Sequence, residues 1–368
     1  MSALRRRLLL LLAALAAAAP AFAGWHQRED AIMGTRIAVE LWLDDDARAE
    51  AAIDAVMAEM RRIDLLMSHY KPESQLSQIN ARAGREPVRV DRELFDLIRR
   101  SLAFSRITDG AFDITYASVG YLYDFRRHVH PDERQIAAAL PAVDWRSLQL
   151  DAARSTVRFA RAGMRIDLGG FAKGYAVDRS IELLRARGGS HAAVTAGGDP
   201  RSLGDRFGRP WVVGIRHPDD PKRVVLRMPL TDTAISTSGD YERYFDENGV
   251  RYHHIIDPHT GKSAGKVRSA TIIGPTATET DGLSKTAFIL GPQRALEIIA
   301  RVPGVDAVFV GPDGHVYYSP GLAPPDDAPA MPDGTPGRPA GTPGRPAGAP
   351  VRPAGAPVRP AGEPPPSR

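Results

Sequence analysis

The sequence predicts an α+β fold, with antiparallel sheets and packed helices that form two intimately packed lobes of one domain. Predicted strands occur in adjacent pairs and do not alternate strictly with helices, which favours antiparallel sheet over a doubly wound parallel sheet. About 300 residues remain once two compositionally distinct termini are set aside, and a chain of this length buries a substantial core. Both helical and strand periodicities occur in this central part.

The individual elements follow from apolar spacing and from glycine and proline positions. Strand predictions rest on alternating apolar and polar side chains, and helix predictions on apolar residues that recur every three or four positions. Gly188 and Gly189 end one helix, and Pro312-Asp-Gly314 forms a turn before the last strand. The predicted elements are a strand at 36–43, helices at 46–67, 91–107, 173–187 and 292–301, and a strand at 315–318.

Residues 1–23 have the layout of a secretory signal. Three arginines at 5–7 precede a short apolar stretch at 8–19, and Ala21-Phe22-Ala23 matches a small-x-small cleavage site. The apolar stretch is too short for a good membrane-spanning helix, although an uncleaved anchor is the alternative interpretation. The chain has no cysteine, which rules out disulfides and a cysteine-linked lipid. We therefore expect cleavage after Ala23 and a soluble periplasmic protein without stable membrane insertion.

The C-terminal segment 324–368 consists almost entirely of Pro, Ala, Gly and Arg. The heptad GTPGRPA occurs at 334 and 341, and its variant GAPVRPA follows at 348 and 355. Such a composition buries too little apolar surface to offset the entropy of ordering, so we expect a disordered, partly polyproline-like tail. The predicted folded domain is therefore 24–323.

The basic character of the chain belongs to its termini. The formal net charge is +4, but 1–23 carry three arginines and no acid, and 331–368 carry five arginines against two acids. Residues 24–330 therefore have a net charge of −2. Because nucleic-acid binding needs a basic surface on the folded part, this balance argues against a nucleic-acid partner.

Two glycine-rich runs are the most informative features of the chain. DLGGFAKGYAVD spans 167–178 and HHIIDPHTG spans 253–261, and in each a short apolar strand breaks into a turn with charged groups or imidazoles. Glycine lets a backbone approach a ligand closely, and a lysine in the first turn of a helix can meet a phosphate. Neither run matches the Walker pattern or the dinucleotide-binding glycine pattern. Together they predict a pyrophosphate site of another kind.

Eight motifs in order resemble the ApbE family of FAD:protein FMN transferases, and the resemblance covers nearly the whole chain between the termini. Each motif is weak alone, but their shared order makes the resemblance specific. They are MGT at 33–35, MSHYKPESQLSQIN at 67–80, GAFDIT at 110–115, DLGGFAKG at 167–174, GGD at 197–199, TSGDY at 237–241, HIIDP at 254–258 and DGLSKTAFILG at 281–291.

The resemblance implies a magnesium-dependent exported enzyme with FAD as its substrate. Such an enzyme would split the pyrophosphate of FAD, attach FMN by a phosphoester to a threonine or serine of a partner protein, and release AMP. The implied partner is an exported or membrane flavoprotein with an acceptor hydroxyl. Two alternatives stay open: an FAD pyrophosphatase that yields FMN and AMP, and a non-catalytic periplasmic flavin-binding protein.

The same resemblance implies a magnesium site. Asp281 would be its anionic ligand and a catalytic residue, and the main-chain carbonyls of Gly170 and Ser284 would be further ligands. Magnesium prefers about six oxygen ligands and keeps several waters. The alternative role for Asp281 is that of a helix N-cap, which is common for aspartate.

Lys285 departs from the family pattern. The family often has a threonine four residues after this aspartate as a further metal ligand, whereas a protonated lysine has no lone pair to offer. Thr286 does not simply substitute, because one residue rotates a side chain by about 100° around a helix. Either water fills the vacancy, or Lys285 places its own charge on the phosphates and the metal site is weaker or single.

His254 is the second implied catalytic residue. An imidazole at this position could hydrogen-bond the pyrophosphate or take the proton of the incoming hydroxyl, and the alternative is a structural hydrogen-bond donor. Asp257 is expected to organise the turn at 258–261. His253 and His259 are expected to be solvated neighbours, because adjacent side chains on a strand point to opposite faces and do not make a paired metal site.

The remaining implied contacts surround the nucleotide. Met33, Tyr70 and Phe112 are the candidates for flat contacts with the flavin, although Met33 and Phe112 are equally compatible with core packing. Asp113 and the main chain of Ala111 would meet the adenosine or the ring edges. The other implied contacts are Asp167 with the adenosine, Lys173 and Lys285 near the phosphates, and Ile255 through its backbone.

Two further segments bear on the shape of the site. The TSGDY motif at 237–241 is expected to shape the cleft floor. After Thr115, many relatives continue with VGPL, whereas this chain has YASVGYLYDF at 116–125. The aromatic density of this segment suggests a variant wall beside the flavin.

Overall fold

The computed structural model of the protein describes residues 24–218, 220 and 222–322. The predicted signal segment 1–23 and the predicted tail 324–368 lie outside these residues, so both stay predictions. The described strands, in chain order, are β1 (Gly24–Ile32), β2 (Thr35–Leu43), β3 (Val88–Arg89), β4 (Leu148–Asp151), β5 (Thr156–Phe159), β6 (His191–Ala196), β7 (Asp199–Leu203), β8 (Trp211–Arg216), β9 (Val224–Leu230), β10 (Ala234–Gly239), β11 (Tyr244–Glu247), β12 (Val250–His253), β13 (Ser269–Gly274), β14 (Asp306–Val310) and β15 (Val316–Tyr318).

Eight of these strands form one antiparallel sheet in the spatial order β1-β2-β6-β7-β10-β13-β14-β15. The β1–β2 hairpin runs in register from Gly24 opposite Leu43 to the Met33-Gly34 turn. Strand β2 then pairs with β6, and the N–H of Gly197 donates to the carbonyl of Arg36 at 2.8 Å. The turn after β1 and the turn after β6 therefore lie side by side at one end of the sheet.

The smaller sheets flank this large one. Strands β3, β5 and β4 form a three-stranded antiparallel sheet, and β8–β9 and β11–β12 are separate hairpins. The β11–β12 hairpin leads directly into the HIIDP motif, so its register sets where His254 lies.

The helices pack on the large sheet and start at well-defined caps. Asp45, Ser74 and Thr276 each accept a hydrogen bond from the backbone N–H three residues ahead, which satisfies a free donor of the first helical turn. The described α-helices are α1 (Asp46–Met67), α2 (Gln75–Arg82), α3 (Arg92–Ile107), α4 (Ala117–Gly120), α5 (Glu133–Ala139), α6 (Ala172–Ala186), α7 (Ala277–Ser284), α8 (Thr286–Leu290) and α9 (Pro292–Ile299).

One continuous hydrophobic cluster joins the sheet to the helices. Ile53, Met60 and Ile63 of α1 are fully buried in it, as are Ile37 and Leu41 of β2. Helix α6 lies between α1 and α7 and contributes to the same cluster. The predicted lobes are thus packed into one domain, and the methionines of α1 serve the core as their spacing predicts.

The predicted α+β class with antiparallel sheets and packed helices is confirmed. The predicted strand at 36–43 and the helix at 46–67 match β2 and α1, and the helix at 173–187 matches α6 within one residue. Helix α9 ends at Ile299, two residues earlier than predicted. Within the described ranges, no helix is long and apolar enough to cross a membrane.

Candidate active site

Helices α6 and α7 touch backbone to backbone, and this contact builds the site. A Cβ on Gly174 would lie 2.1 Å from the carbonyl oxygen of Ala277 and 2.9 Å from Cβ of Asp281, so only glycine fits there. The backbone N–H of Gly174 donates to Oδ2 of Asp281 at 3.1 Å. Gly174 thus brings the neighbouring Lys173 close to Asp281, although Asp281 lies far away along the chain.

Four charged residues, Lys173, Asp199, Asp281 and Lys285, form a lysine–aspartate cluster at this contact. Nζ of Lys173 donates to Oδ2 of Asp199 at 2.6 Å and reaches the two carboxylate oxygens of Asp281 at 3.2 and 3.3 Å. Nζ of Lys285 donates to the carbonyl oxygen of Asp281 at 2.8 Å and also to its Oδ1. The side chain of Asp281 is fully buried, so water screens these charges little.

Burial and neighbouring charges set the ionisation of the lysine–aspartate cluster. Burial and the charge of Asp281 raise the pKa of Asp199. Burial also opposes ionisation of Asp281, but the charges of Lys173 and Lys285 outweigh it and lower the pKa of Asp281 to about 2. Burial disfavours the Lys173 ammonium, yet the charges of Asp199 and Asp281 raise its pKa above the ordinary value. Asp281 and Lys173 are therefore both charged at neutral pH.

The start of α7 is fixed by a buried carboxylate on α6. Asp178 accepts hydrogen bonds from the backbone N–H groups of Ala277 at 2.8 Å and Thr278 at 2.9 Å, and it also pairs with Arg201 at 2.6 Å. The N-cap of α7 is Thr276, and Asp281 lies within the helix. The alternative role of Asp281 as an N-cap is therefore wrong.

The TSGDY motif supports α7 from the opposite side. Oγ of Ser238 in β10 lies 2.7 Å from Oγ of Ser284, whose hydroxyl donates to the carbonyl oxygen of Asp281 at 2.8 Å. A second hydroxyl pair joins Ser236 to Thr280 at 2.8 Å. These contacts hold the end of β10 against α7, and the role of the motif as a cleft floor stays a prediction.

His254 follows β12 and is surrounded by positive charge. Its backbone N–H donates to the carbonyl oxygen of Arg243 at 3.1 Å. Burial above all, and then charge interactions with Arg243, His253, Lys285 and Lys173, lower the pKa of His254 to about 3. Its Nδ1 is buried and has no hydrogen-bond partner among the residues that the structure describes. A neutral imidazole can accept a proton.

Arg243 is a candidate that sequence reasoning missed. It lies two residues after the TSGDY motif, its side chain is exposed, and its Nη2 reaches the carbonyl oxygen of Gly34 at 3.5 Å. No carboxylate of the described part of the chain pairs with it. A guanidinium without an acidic partner suits a phosphate, because its planar fork matches the phosphate oxygens.

Asp167 anchors a second wall of the site. Its Oδ2 accepts from the hydroxyl of Tyr116 at 2.9 Å, its Oδ1 accepts from the N–H of Gly169 at 2.7 Å, and Nδ1 of His69 lies 3.4 Å from Oδ1. Burial raises the pKa of Asp167, but these partners more than offset it and hold the pKa below its usual range. The ring of Tyr70 packs on His69 and is 79% exposed, so it is available for contact with a ligand.

With this geometry in place, comparison with known proteins is decisive. A sequence model of the ApbE family matches residues 33–309. The chain belongs to the ApbE family. It is 35% identical over 316 residues to the FAD:protein FMN transferase of Treponema pallidum, an alignment that covers 81% of this chain and 87% of the relative. A Klebsiella pneumoniae protein of the same name is 31% identical over 283 residues, with 76% and 87% coverage.

Solved structures of ApbE proteins share the fold. The ApbE protein of Thermotoga maritima superimposes with a TM-score of 0.74 at 33% identity, over 80% of this chain and 97% of that one. The flavin transferase ApbE from Vibrio cholerae gives a TM-score of 0.73 at 27% identity, over 81% and 97%.

Five residues that the ApbE resemblance implies are brought together. Asp281, Ser284 and Lys285 lie on or directly after α7, and Lys173 reaches across from α6. Gly170 lies close by, because a Cβ on it would be 3.7 Å from Cε of Lys285. The charges of Lys285 and Lys173 also help to lower the pKa of His254.

The donor set does not form an open cage for the magnesium ion that the ApbE resemblance implies. Oδ1 of Asp281 accepts from Lys285, and Oδ2 accepts from Lys173 and from the N–H of Gly174. In the described residues, no group of three or more His, Cys, Asp or Glu side chains could hold a metal ion. The residues as arranged therefore do not fit a divalent cation, and the magnesium site stays a prediction.

The residues of the GAFDIT motif that are predicted to contact the nucleotide are buried. Phe112 is 6% exposed and packs with Phe104 and Phe171, at centroid distances of 5.8 and 5.6 Å, and Ala111 is also buried. Asp113 uses Oδ1 to cap the short helix at 114–116 and Oδ2 to accept from Trp145 N–H at 3.1 Å. Core packing and capping thus use these groups, and the contacts of Ala111, Phe112 and Asp113 with the ligand stay predictions.

Three other predictions also need comment. Met33 is half-buried in a left-handed turn, with φ +56°, and packs on the main core. The N–H of Ile255 points to Nδ1 of His253 at 3.4 Å and its carbonyl accepts from Ala264 at 2.9 Å, so its backbone is engaged within the chain. His253 is not a solvated neighbour: it is 3% exposed and bonds the carbonyl oxygen of Ala264 at 2.6 Å.

Other predicted details agree with the structure. Oδ1 of Asp257 accepts from the N–H of His259 at 2.9 Å and its carbonyl accepts from Gly261, so it organises the predicted turn. In the aromatic segment 116–125, Tyr116 contacts Asp167, while Tyr123 bonds the carbonyl oxygen of Gly261 at 2.9 Å. The aromatic wall thus joins the two glycine-rich runs.

Asp199 is the other functional candidate that received no role from sequence. It is 3% exposed at the start of β7, after a turn in which Gly197 has φ +65°. A Cβ on Gly197 would lie 2.8 Å from Oγ1 of Thr35, so the MGT and GGD motifs touch. An acid directly after a glycine pair is the signal that could have marked it.

Proposed function

We propose that this chain transfers FMN from FAD to the hydroxyl of a threonine or serine on a partner protein and releases AMP. The observation that carries this proposal is the neutral imidazole of His254, on which the positive charges of Arg243, Lys285 and Lys173 act. Phosphoryl transfer needs positive charge at the phosphates and correct positioning of the incoming hydroxyl. The relatives named FAD:protein FMN transferase support the same reaction.

The cationic side chains would bind the pyrophosphate of FAD. Lys173 and Lys285 share the carboxylates of Asp199 and Asp281, and Arg243 has no acidic partner in the described part of the chain. Arginine and lysine contacts to phosphate oxygens are charge-assisted and become stronger where water is excluded. The wall formed by Asp167, with the exposed ring of Tyr70 nearby, would receive the rest of the nucleotide.

The chemical step replaces one P–O bond with another and transfers one proton. The acceptor oxygen attacks the phosphorus on the FMN side, the bond between this phosphorus and the bridging oxygen breaks, and AMP leaves with that oxygen. The hydroxyl proton passes to the neutral imidazole of His254. Bound pyrophosphate offsets the charges that lower the pKa of His254, so substrate binding makes this imidazole a stronger base.

Magnesium dependence is implied by the family resemblance. Gly170, Asp281 and Ser284 would hold the ion only if Lys285 withdrew from Asp281, since its ammonium now bonds both the side chain and the carbonyl of that residue. Asp281 instead positions Lys173 and Lys285.

The proposal includes export to the periplasm. The layout of 1–23 supports a mature chain that begins at Gly24, and the partner would be an exported or membrane flavoprotein. Mass spectrometry of the protein recovered from the periplasm should give a mass that starts at Gly24. Retention of residues 1–23 would contradict this part of the proposal.

Product analysis tests the reaction. The purified chain is incubated with FAD and a periplasmic flavoprotein domain that carries an acceptor threonine, with an alanine copy of that acceptor as control. We expect AMP together with covalently bound flavin on the threonine domain alone. Release of AMP and free FMN in equal amounts would show a pyrophosphatase, and unchanged FAD would show a carrier; either result would overturn the transferase.

A further inference from the structure

We propose that the Lys285 ammonium is a built-in cation of the FAD site, and that this chain binds FAD without a divalent metal ion. The inference rests on the proposed function only in taking FAD as the ligand. It concerns the source of the positive charge at the pyrophosphate, not the fate of the flavin.

The position of Lys285 is the first observation. Its ammonium is bonded by two acceptors of one residue, the carbonyl oxygen and Oδ1 of Asp281. Its stem passes over Gly170, where a Cβ would lie 3.7 Å from Cε and 4.0 Å from Cδ. The ammonium therefore lies among Gly170, Asp281 and Ser284, the residues that the family resemblance assigns to magnesium.

The remaining donor capacity of the ammonium is the second observation. A lysine ammonium carries three N–H donors, and Asp281 accepts two of them. The side chain is 18% exposed, so it is not sealed from the cleft. The third N–H is therefore free to donate to a phosphate oxygen at the exposed part of the side chain.

The charges of the lysine–aspartate cluster disfavour binding of a divalent ion. The carboxylate of Asp281 is fully buried and already faces Lys173, Lys285 and the N–H of Gly174. An ion that bound its oxygens would meet two ammonium groups at close range without screening by water. The two carboxylates of the lysine–aspartate cluster are balanced by its two lysines, which leaves no negative charge for a metal to neutralise.

Titration of FAD into the protein tests the inference. Affinity is measured by calorimetry for the full-length chain, for Lys285→Thr and for Lys285→Met, each with EDTA and with magnesium. Lys222→Thr, on the exposed loop between β8 and β9, is the matched control for loss of one lysine charge. Far-UV circular dichroism confirms that each variant is folded.

We expect the native chain and Lys222→Thr to bind FAD with affinities that agree within about twofold with and without magnesium. Lys285→Thr should lose at least about tenfold in EDTA, since a charge-assisted contact is absent, and regain affinity when magnesium is added. Lys285→Met should bind FAD weakly both in EDTA and with magnesium. A native affinity that falls tenfold or more in EDTA would overturn the inference.

A second measurement does not depend on FAD. Binding of Mn2+ to the protein without nucleotide is followed by electron paramagnetic resonance. The native chain should leave the ion free, whereas Lys285→Thr should bind it through the restored oxygen. Tight binding of Mn2+ to the native chain would contradict the built-in cation even if no FAD bound.

The two proposals can fail separately. Metal-independent FAD binding without flavin transfer would remove the proposed function and leave the role of Lys285 intact. Flavin transfer that stops in EDTA, together with Mn2+ binding by the native chain, would overturn the role of Lys285 and leave the proposed function intact.

Discussion

The backbone of Gly174 lies against the carbonyl of Ala277 so closely that no side chain fits between helices α6 and α7. The same contact gives the N–H of Gly174 its bond to Asp281. The close approach of the two helices therefore also fixes the position of the buried carboxylate of Asp281.

Gly174→Ala should therefore reduce both stability and activity. The added methyl group would lie about as close to Ala277 as a covalent neighbour, so the helices must separate, at a cost of about 1–3 kcal/mol or more in the free energy of unfolding. Flavin transfer should fall with it, because Asp281 moves. Urea unfolding and AMP release check this. Gly84→Ala is the matched control, since a Cβ there meets nothing within 4 Å and should change neither quantity.

Asp281→Asn should keep the shape of the site but remove its buried charge. We expect AMP release to fall by at least about 100-fold, because Lys173 and Lys285 lose the carboxylate that positions them. The free energy of unfolding should fall by about 3 kcal/mol, as for other broken buried pairs. Single-turnover kinetics and denaturant titration measure the two effects. Native turnover in this variant would mean that Asp281 has no part in the reaction.

His254→Gln should lower flavin transfer by about 10² to 10⁴-fold while FAD still binds. The exposed neighbour His259 provides the control, His259→Gln. The native protein should also lose stability in acid: unfolded His254 gains a proton below its usual pKa of 6.5, whereas the folded residue stays neutral to about pH 3. This difference destabilises the native state by up to about 1.4 kcal/mol per pH unit below 6.5. The penalty should be missing in His254→Gln, and an identical pH dependence of unfolding in both proteins would refute the buried neutral imidazole.

Arg243→Gln should weaken FAD binding by about tenfold and make it less sensitive to salt, because a charge that meets the pyrophosphate is lost. It should also raise the pKa of His254, since the charge of Arg243 helps to lower it. Fluorescence titration gives the affinity, and nitrogen-15 NMR of the imidazole gives the pKa. Arg227→Gln, on β9, should leave both unchanged. An unaltered imidazole in Arg243→Gln would show that the two groups do not interact.

The sequence predicts those parts of the site that depend on local spacing. Lys173 and Gly174 lie in the first turn of α6. Asp281 and Ser284 lie in the last turns of α7, and Lys285 follows directly. The order of the motifs is therefore enough to group these residues. Asp199 and Arg243 depend on which strands pair and how a hairpin returns, and a single sequence does not show this. The contact of Asp113 with the ligand is implied only by the family resemblance, and the cap at 114–116 and the N–H of Trp145 use its oxygens.

The partners of Lys173 are spread along the chain: Asp199 follows it by 26 residues and Asp281 by 108. A ribosome finishes β7 long before α7, so a growing or partly unfolded chain has the lysine and only one of its two acids. Closing the longer loop costs entropy that local contacts do not return, which makes this meeting a late event in folding. The lysine–aspartate cluster is therefore complete only when both distant segments have reached their final positions.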